Sequence, residues 1–120
     1  HYAPRTSLSI VASRTLEDVV RQLTENRERI AVLATRPPRV ANKYMTWINA
    51  GRRADVYGRE LYVNLRTRDK SGAKEILVEE VPAGEAWDAV RERLHRAASA
   101  ENVVYGDPDI AALRADLGQD

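Results

Sequence analysis

Cysteine is missing altogether from this 120-residue chain, and phenylalanine is missing as well. Without cysteine the chain has no disulfide and no thiolate-ligated zinc site, a composition that suits the reducing cytoplasm. Aromatic residues make up only 6% of the sequence, so the core must be built from Leu, Val, Ile and Ala, as in many α/β domains. No apolar run approaches the roughly 20 residues that a membrane-spanning helix needs. We therefore expect a soluble, cytoplasmic protein that makes no membrane contact.

An excess of charge of one sign is also missing. The chain has 19 Lys and Arg against 18 Asp and Glu, for a formal net charge of +1. Such a balance gives no strong long-range attraction toward nucleic acid. Arg36, Arg39 and Lys43 do surround a Pro-Pro pair, and Arg52-Arg53 follow soon after. The patch is compatible with an RNA contact, although a solvated loop explains it more simply.

The motifs that carry catalysis are missing too. No glycine-rich phosphate loop follows the first apolar run, where the chain reads Ser13-Arg14-Thr15, and no Gly-x-Ser-x-Gly elbow occurs. Neither His1 nor His95 has a second ligand at metal-binding spacing. Glu79 and Glu80 are neighbours on a predicted strand, so they point to opposite faces and cannot form a carboxylate dyad. We expect no catalytic residue and no metal or other cofactor site in this chain.

Apolar periodicity predicts alternating strands and helices. The first strand–helix–strand unit spans under thirty residues. The predicted strands are 7–13, 29–35, 44–49 and 75–81, and the predicted helices are 16–25, 54–70 and 84–98, with a further short helix opening at Asp107-Pro108. Thr15 is the expected N-cap of the first helix. This order predicts an α/β fold: a small, mainly parallel sheet with helices on both faces, in three layers. The predicted division is a linker end at 1–6, one α/β domain at 7–100 and a tail at 101–120.

Three charged residues and one tryptophan on the predicted helices are further candidates for a structural or binding role. Arg66 and Asp69 lie three residues apart on the predicted long helix, where an exposed ion pair is the simplest expectation, and Arg93 on the next helix could reach Asp69. These three residues would then form a polar lock within the domain or toward a partner domain. Trp87 lies on the apolar face of its helix, which favours packing over a ligand platform.

The first residues, His1-Tyr2-Ala3-Pro4, form an unusual beginning for a folded domain. A residue before proline is held extended, so Ala3-Pro4 predicts a strap and not a helix start. Tyr2 presents a ring that can stack, and His1 an imidazole that titrates near neutral pH. We interpret this segment as the end of a linker from a longer protein, and disorder is the alternative.

These segments resemble a known family, the long form of the threonylcarbamoyl-AMP synthases. His1-Tyr2-Ala3-Pro4 resembles the end of that family's interdomain linker. Its C-terminal domain is similar to three further stretches in their order and spacing: Leu61-Tyr62-x-x-Leu65-Arg66-x-x-Asp69, Gly72-Ala73-x-x-Ile76-Leu77-Val78-Glu79 and Trp87-Asp88-Ala89-Val90-x-x-Arg93-Leu94. The segment between Arg36 and Asn49 and the tail after Ala100 match less well or not at all.

The resemblance implies a Rossmann-like accessory domain of an enzyme whose YrdC-like catalytic domain precedes it. Such enzymes are nucleotidyltransferases that condense L-threonine, bicarbonate and ATP, with Mg, into threonylcarbamoyl-AMP and pyrophosphate for threonylcarbamoyladenosine modification of tRNA. Their catalytic residues lie in the other domain, so the resemblance transfers none to this chain. It implies only that His1 and Tyr2 belong to a linker that covers the catalytic pocket as a lid. The implied partners are the catalytic domain and other tRNA-modification proteins.

A different class of function stays open from the sequence alone. A stand-alone Rossmann-like module could bind a nucleotide at the carboxyl ends of its strands, or tRNA through the 36–53 region. A free-standing enzyme is the least favoured interpretation, because nothing in the chain assembles a nucleophile with a base.

Overall fold

The computed structural model describes residues 6–103, and in this part of the chain one four-stranded sheet is covered by three α-helices. The strands are β1 (Ser7–Val11), β2 (Ile30–Ala34), β3 (Met45–Asn49) and β4 (Glu75–Glu79). The helices are α1 (Leu16–Leu23), α2 (Ala54–Asp69) and α3 (Asp88–Val103). The elements predicted between residues 7 and 98 are therefore confirmed. The predicted helix at Asp107-Pro108 lies outside the described residues, as do His1 and Tyr2.

The sheet is parallel throughout, with strand order β1-β4-β2-β3. β4 lies between β1 and β2, so the first two strands of the chain are not hydrogen-bonded neighbours even though one helix joins them. Local periodicity cannot reveal the strand order, because the position of β4 depends on its pairing with strands that are distant in sequence. The order and direction of the strands confirm the predicted α/β class.

Side chains alternate across the sheet and create two cores, which confirms the three predicted layers. On one face α2 and α3 cover the sheet, burying a cluster that includes Leu33, Val78 and Leu61. On the other face α1 packs Leu16 and Val20 against β2 and Leu77. All five residues of β2 are buried, as expected for a central parallel strand covered on both faces.

Several element ends differ from the prediction by a few residues. Thr15 precedes α1, but its hydroxyl donates to the Ala12 carbonyl at 3.3 Å and caps no helical N–H. α1 ends at Leu23, two residues early, and the hydroxyl of Thr24, which follows it, donates to the Val20 carbonyl at 2.8 Å. α3 starts later than predicted, after a single 3-10 turn (Glu85–Trp87), and it continues to Val103, beyond the expected end at residue 98.

Gly58 allows α2 and α3 to approach each other closely. A Cβ atom at this position would lie 3.2 Å from Val90 Cγ2, tighter than ordinary van der Waals contact. Gly58 also leaves its carbonyl accessible to Arg93, whose Nη1 donates to it at 3.3 Å. The close packing of the two helices explains a glycine inside α2, where it costs about 1 kcal/mol relative to alanine.

The sheet has two ends that matter below. Because the strands are parallel, all their carboxyl ends share one edge, the carboxyl edge, and all their first residues share the opposite amino edge. The strands are five residues long, so about 16 Å separates the two edges. Within residues 6–103 no helix is long and apolar enough to cross a bilayer.

Candidate functional site at the edges of the sheet

The carboxyl edge has the topology at which open α/β sheets bind ligands. β1 and β4 are neighbours, yet α1 follows β1 on one face and α3 follows β4 on the other. Divergent connections of this kind open a crevice between the carboxyl ends of the two strands. A nucleotide-binding Rossmann fold binds the phosphates of its nucleotide at this place. The side chains in the crevice therefore test the hypothesis that this domain binds a nucleotide at the carboxyl ends of its strands.

The crevice between β1 and β4 is occupied by the protein's own side chains. Glu79, the last residue of β4, is only 3% exposed. Its Oε1 accepts hydrogen bonds of 2.7 Å from both the backbone N–H and the hydroxyl of Thr35, just after β2. Its Oε2 accepts from the Ser13 hydroxyl at 2.5 Å, just after β1. One carboxylate thus joins the ends of three strands.

Arg36 extends this arrangement to α1. Its guanidinium forms a two-pronged pair with Glu17 in the first turn of α1, at 2.7 and 2.9 Å, and its Nε donates to Glu79 Oε2 at 3.1 Å. The guanidinium also stacks over the Trp47 ring, with 5.4 Å from Cζ to the ring centroid, and the Trp47 Nε1–H donates to the Arg36 carbonyl at 2.7 Å. We call these linked side chains the polar cluster: Ser13, Glu17, Thr35, Arg36 and Glu79.

The electrostatics of the polar cluster favour the ionised forms of all its charged members. The hydrogen bond from Arg36 is the main cause that lowers the pKa of Glu17 to about 2. Burial raises the pKa of Glu79, but the hydrogen bonds from Ser13 and Thr35 together with the charge of Arg36 outweigh it, so the pKa lies below its ordinary value. The pKa of Arg36 is raised, chiefly by Glu17. Two carboxylates share one buried guanidinium, and each acceptor oxygen named above has a donor.

The polar groups of the polar cluster bond to one another, so the cluster links the strand ends and does not form a ligand-binding pocket. The guanidinium that could meet a phosphate is already held by two carboxylates, and the hydroxyls of Ser13 and Thr35 both donate to Glu79. Arg39, the next basic residue of the predicted patch, also turns to Glu17, at 3.2 Å. The geometry therefore opposes nucleotide binding in the crevice and neutralises part of the 36–53 basic region.

Sequence reasoning missed the polar cluster because its members come from three distant segments, 13–17, 35–36 and residue 79. Glu79 is the last residue of β4 and the half-buried Glu80 follows it, but the sequence did not show that Glu79 would be buried. The sequence signal that could have revealed the cluster is Glu79 itself, a carboxylate that follows an apolar strand run, because a buried charge needs partners. Arg36 and Ser13, which lie at the ends of two other strand runs, could serve as those partners.

The amino edge holds the start of the described chain. The backbone N–H of Thr6 donates to Asp69 Oδ1 at 2.7 Å, and the Thr6 hydroxyl lies 3.5 Å from the Asp69 carbonyl. Asp69 is the last residue of α2, so the segment that enters β1 is tied to the end of this helix. We call this contact between Thr6 and Asp69 the linker anchor, because Thr6 is the last residue of the predicted linker end, 1–6.

Of the three residues of the predicted polar lock, Arg93 contacts the first part of α2, whereas Asp69 lies at the end of that helix. Arg93 donates to Gly58, which lies eleven residues before Asp69 on α2, about 16 Å along the helix axis. Arg93 therefore ties α3 to α2 near the carboxyl edge, while Asp69 serves the linker anchor at the other end. Arg66 lies exposed on α2, one turn before Asp69.

The remaining candidates are structural or peripheral. Trp87 is buried and meets Tyr57 edge-on, with ring centroids 5.3 Å apart, so its predicted packing role is confirmed. Burial, together with the charges of Glu79 and Glu80, raises the pKa of Tyr57. His95 is exposed and lies 3.5 Å from Glu80. No three His, Asp or Glu side chains come together as a possible metal site in the described part of the chain.

Comparison with known proteins adds a decisive observation. A family model described as "Threonylcarbamoyl-AMP synthase, C-terminal domain" matches residues 1–99. The chain belongs to this family. The match starts at His1, so the threonylcarbamoyl-AMP synthase C-terminal domain family includes the strap as well as the α/β fold, and the resemblance of the sequence motifs is confirmed.

A solved structure agrees on the fold of this threonylcarbamoyl-AMP synthase C-terminal domain. The crystal structure of P. abyssi Sua5 complexed with L-threonine superimposes with a TM-score of 0.68 at 23% sequence identity. The alignment covers 84% of this chain and 30% of that chain, so the domain spans less than a third of the solved protein. No curated protein sequence matches the chain.

Proposed function

We propose that this chain acts as the accessory domain of a threonylcarbamoyl-AMP synthase and positions a linker lid over the active site of a preceding catalytic domain. The observation that carries the proposal is the linker anchor, in which Asp69 holds the backbone of Thr6 at 2.7 Å. It fixes the chain two residues after Pro4. The strap His1-Tyr2-Ala3-Pro4 then starts from a defined point on α2 and not from a free end.

The chemistry of the parent enzyme, in this proposal, takes place elsewhere. The catalytic domain would bind ATP and Mg and convert L-threonine and bicarbonate into threonylcarbamoyl-AMP for tRNA modification in the cytoplasm. This chain contributes the lid residues His1 and Tyr2. The family match over residues 1–99 supports the assignment, and the crevice filled by the polar cluster supports a domain without a nucleotide of its own.

The physical basis of the lid is effective concentration. A linker held at both ends samples the mouth of a pocket far more often than a free peptide does, and relative domain motion opens or closes it. The linker anchor lies at the amino edge, at the end of α2. In this proposal the catalytic domain therefore faces the amino edge, and the polar cluster lies on the far side of the sheet.

The test is an assay of threonylcarbamoyl-AMP formation by the complete two-domain enzyme with residues His1 to Pro4 deleted. We expect KM for L-threonine to rise or kcat to fall, by about tenfold or more, since closing lids and positioning residues commonly have effects of this size. A Gly-Ser replacement of equal length separates the role of the side chains from the role of the tether. Unchanged kcat and KM in both variants would refute the lid.

A further inference from the structure

A groove between α2 and α3 opens on the surface away from the sheet. It has a volume of about 620 Å³. It is lined by small or apolar residues and by charged residues of both signs: Ala54, Gly58, Ala86, Ala89 and Val90, with Asp55, Arg59 and Arg93. A Cβ atom on Gly58 would lie 3.2 Å from Val90 Cγ2, so the two helices approach closely here. The groove thus has an apolar lining with two guanidinium groups and one carboxylate beside it.

The exposed face of α2 continues this groove toward the amino edge. Tyr62 is 37% exposed and Val63 61%, two of the three large exposed hydrophobic side chains among residues 6–99, whose burial the structure describes. Arg59, Arg66 and Lys70 are also exposed and share this face through spacings of three and four residues. Asp55 at the far end is paired with Arg53 at 2.9 Å. We call the groove and this helix face together the α2 surface.

The last seventeen residues of the chain have the complementary composition. Residues 104–120 contain four Asp and one Arg, for a net charge of −3, whereas the whole chain carries +1, which leaves +4 on residues 1–103. In helical spacing, Ile110, Leu113 and Leu117 fall on one side. Asp107, Asp109 and Asp116 accompany this apolar stripe. The tail is therefore acidic and amphipathic, and the body it leaves is basic.

The position where residue 104 follows α3 and the length of the segment 104–120 are also compatible with contact along α2. α2 and α3 both begin at the carboxyl edge and run back across the sheet, so Val103, the last described residue, lies at the same end of the sheet as Lys70. From Lys70 to Arg59 is eleven residues of helix, about 16 Å, and the seventeen residues 104–120 are long enough to span that distance.

We propose that residues 104–120 dock on the α2 surface of the same chain, with Ile110, Leu113 and Leu117 on the exposed Tyr62 and Val63 and the aspartates against the basic side chains. The interaction covers two of the exposed hydrophobic side chains of the domain. The proposal is independent of the lid, because it concerns a different surface and needs no catalytic domain.

The experiment uses the complete 120-residue chain and its lack of cysteine. An Ala112→Cys variant carries a single nitroxide spin label, and the amide signals of the ¹⁵N-labelled protein are compared before and after reduction of the label. We expect at least a twofold loss of intensity for the amides of Arg59, Tyr62 and Val63 in the oxidised state, and none for α1. An Arg59→Glu, Lys70→Glu pair should restore the signals. The matched control pair, Arg14→Glu with Arg21→Glu, changes the charge equally at exposed positions on the α1 side and should leave the broadening unchanged.

Three outcomes would overturn the proposal. The first is broadening of α1, or of no region, in place of the α2 surface. The second is equal loss of broadening in the two charge-reversal pairs, which would indicate general electrostatics. The third is broadening of an unlabelled ¹⁵N chain mixed with a spin-labelled ¹⁴N chain, which would place the tail on a second copy.

Discussion

Replacing Glu79 by Ala should lower the free energy of unfolding by about 3–5 kcal/mol, the usual effect of removing one partner from a buried ion pair. The change leaves the Ser13 hydroxyl, the Thr35 N–H and hydroxyl, and the Arg36 Nε without the acceptor they share. The substitution therefore removes the hydrogen bonds that join the end of β4 to the ends of β1 and β2. Urea unfolding at pH 7, followed by circular dichroism, measures the effect.

The adjacent residue provides the matched control for this prediction. Glu80 is 41% exposed, and its partners Arg91 and His95 lie 3.9 and 3.5 Å away, so Glu80→Ala should cost less than about 1 kcal/mol. If Glu79→Ala unfolds the chain completely, Glu79→Gln preserves the shape and should cost about 1.5–3 kcal/mol. Equal effects at positions 79 and 80 would mean that the polar cluster does not hold the strand ends together.

Acid should weaken the fold through Glu17. The pKa of this carboxyl is about 2 in the folded protein against an ordinary value of 4.5, mainly because of Arg36. A lowered folded-state pKa stabilises the protein above the unfolded-state value, and the contribution disappears as the pH falls toward the folded-state value. A shift of this size corresponds to about 3 kcal/mol, lost progressively between about pH 5 and pH 2.

The measurement is the unfolding free energy of wild type and Glu17→Gln at several pH values from 7 to 2. The variant should be less stable at pH 7, its stability should vary less with pH, and the two curves should approach each other near pH 2. Asp18→Asn is the control, because Asp18 is 67% exposed and has only a surface pair with Arg21 at 3.4 Å. Parallel curves for wild type and Glu17→Gln would contradict the assignment of the pH dependence to Glu17.

The sequence predicted the elements of the fold well and their pairing only partly. Continuous apolar runs such as 30–34, and the helical spacing of Leu16, Val20 and Leu23, depend on local geometry and are visible locally. The place of β4 between β1 and β2 depends on contacts between residues more than forty positions apart. No periodic signal carries that information.

The candidate site was harder to predict for the same reason. The strap and the family motifs identified the domain, and the anchor residue Asp69 was singled out with Arg66 and Arg93 as its predicted partners. Its contact with Thr6 was not considered. Arg93 meets Gly58, a contact made possible by an absent side chain, which sequence patterns do not display. The polar cluster needed burial of Glu79 to be known before its partners had a reason to meet.

The central claim is that the accessory domain acts through the linker anchor, and Asp69 tests it most directly. In the two-domain enzyme, Asp69→Ala removes the acceptor for the Thr6 N–H, whereas Asp69→Asn retains a carbonyl oxygen at the same place. The measurement is KM for L-threonine and kcat for threonylcarbamoyl-AMP formation by both variants and wild type. We expect Asp69→Ala to approach the enzyme that lacks His1 to Pro4, and Asp69→Asn to retain most of the wild-type activity. Wild-type kinetics for a correctly folded Asp69→Ala enzyme would contradict the account.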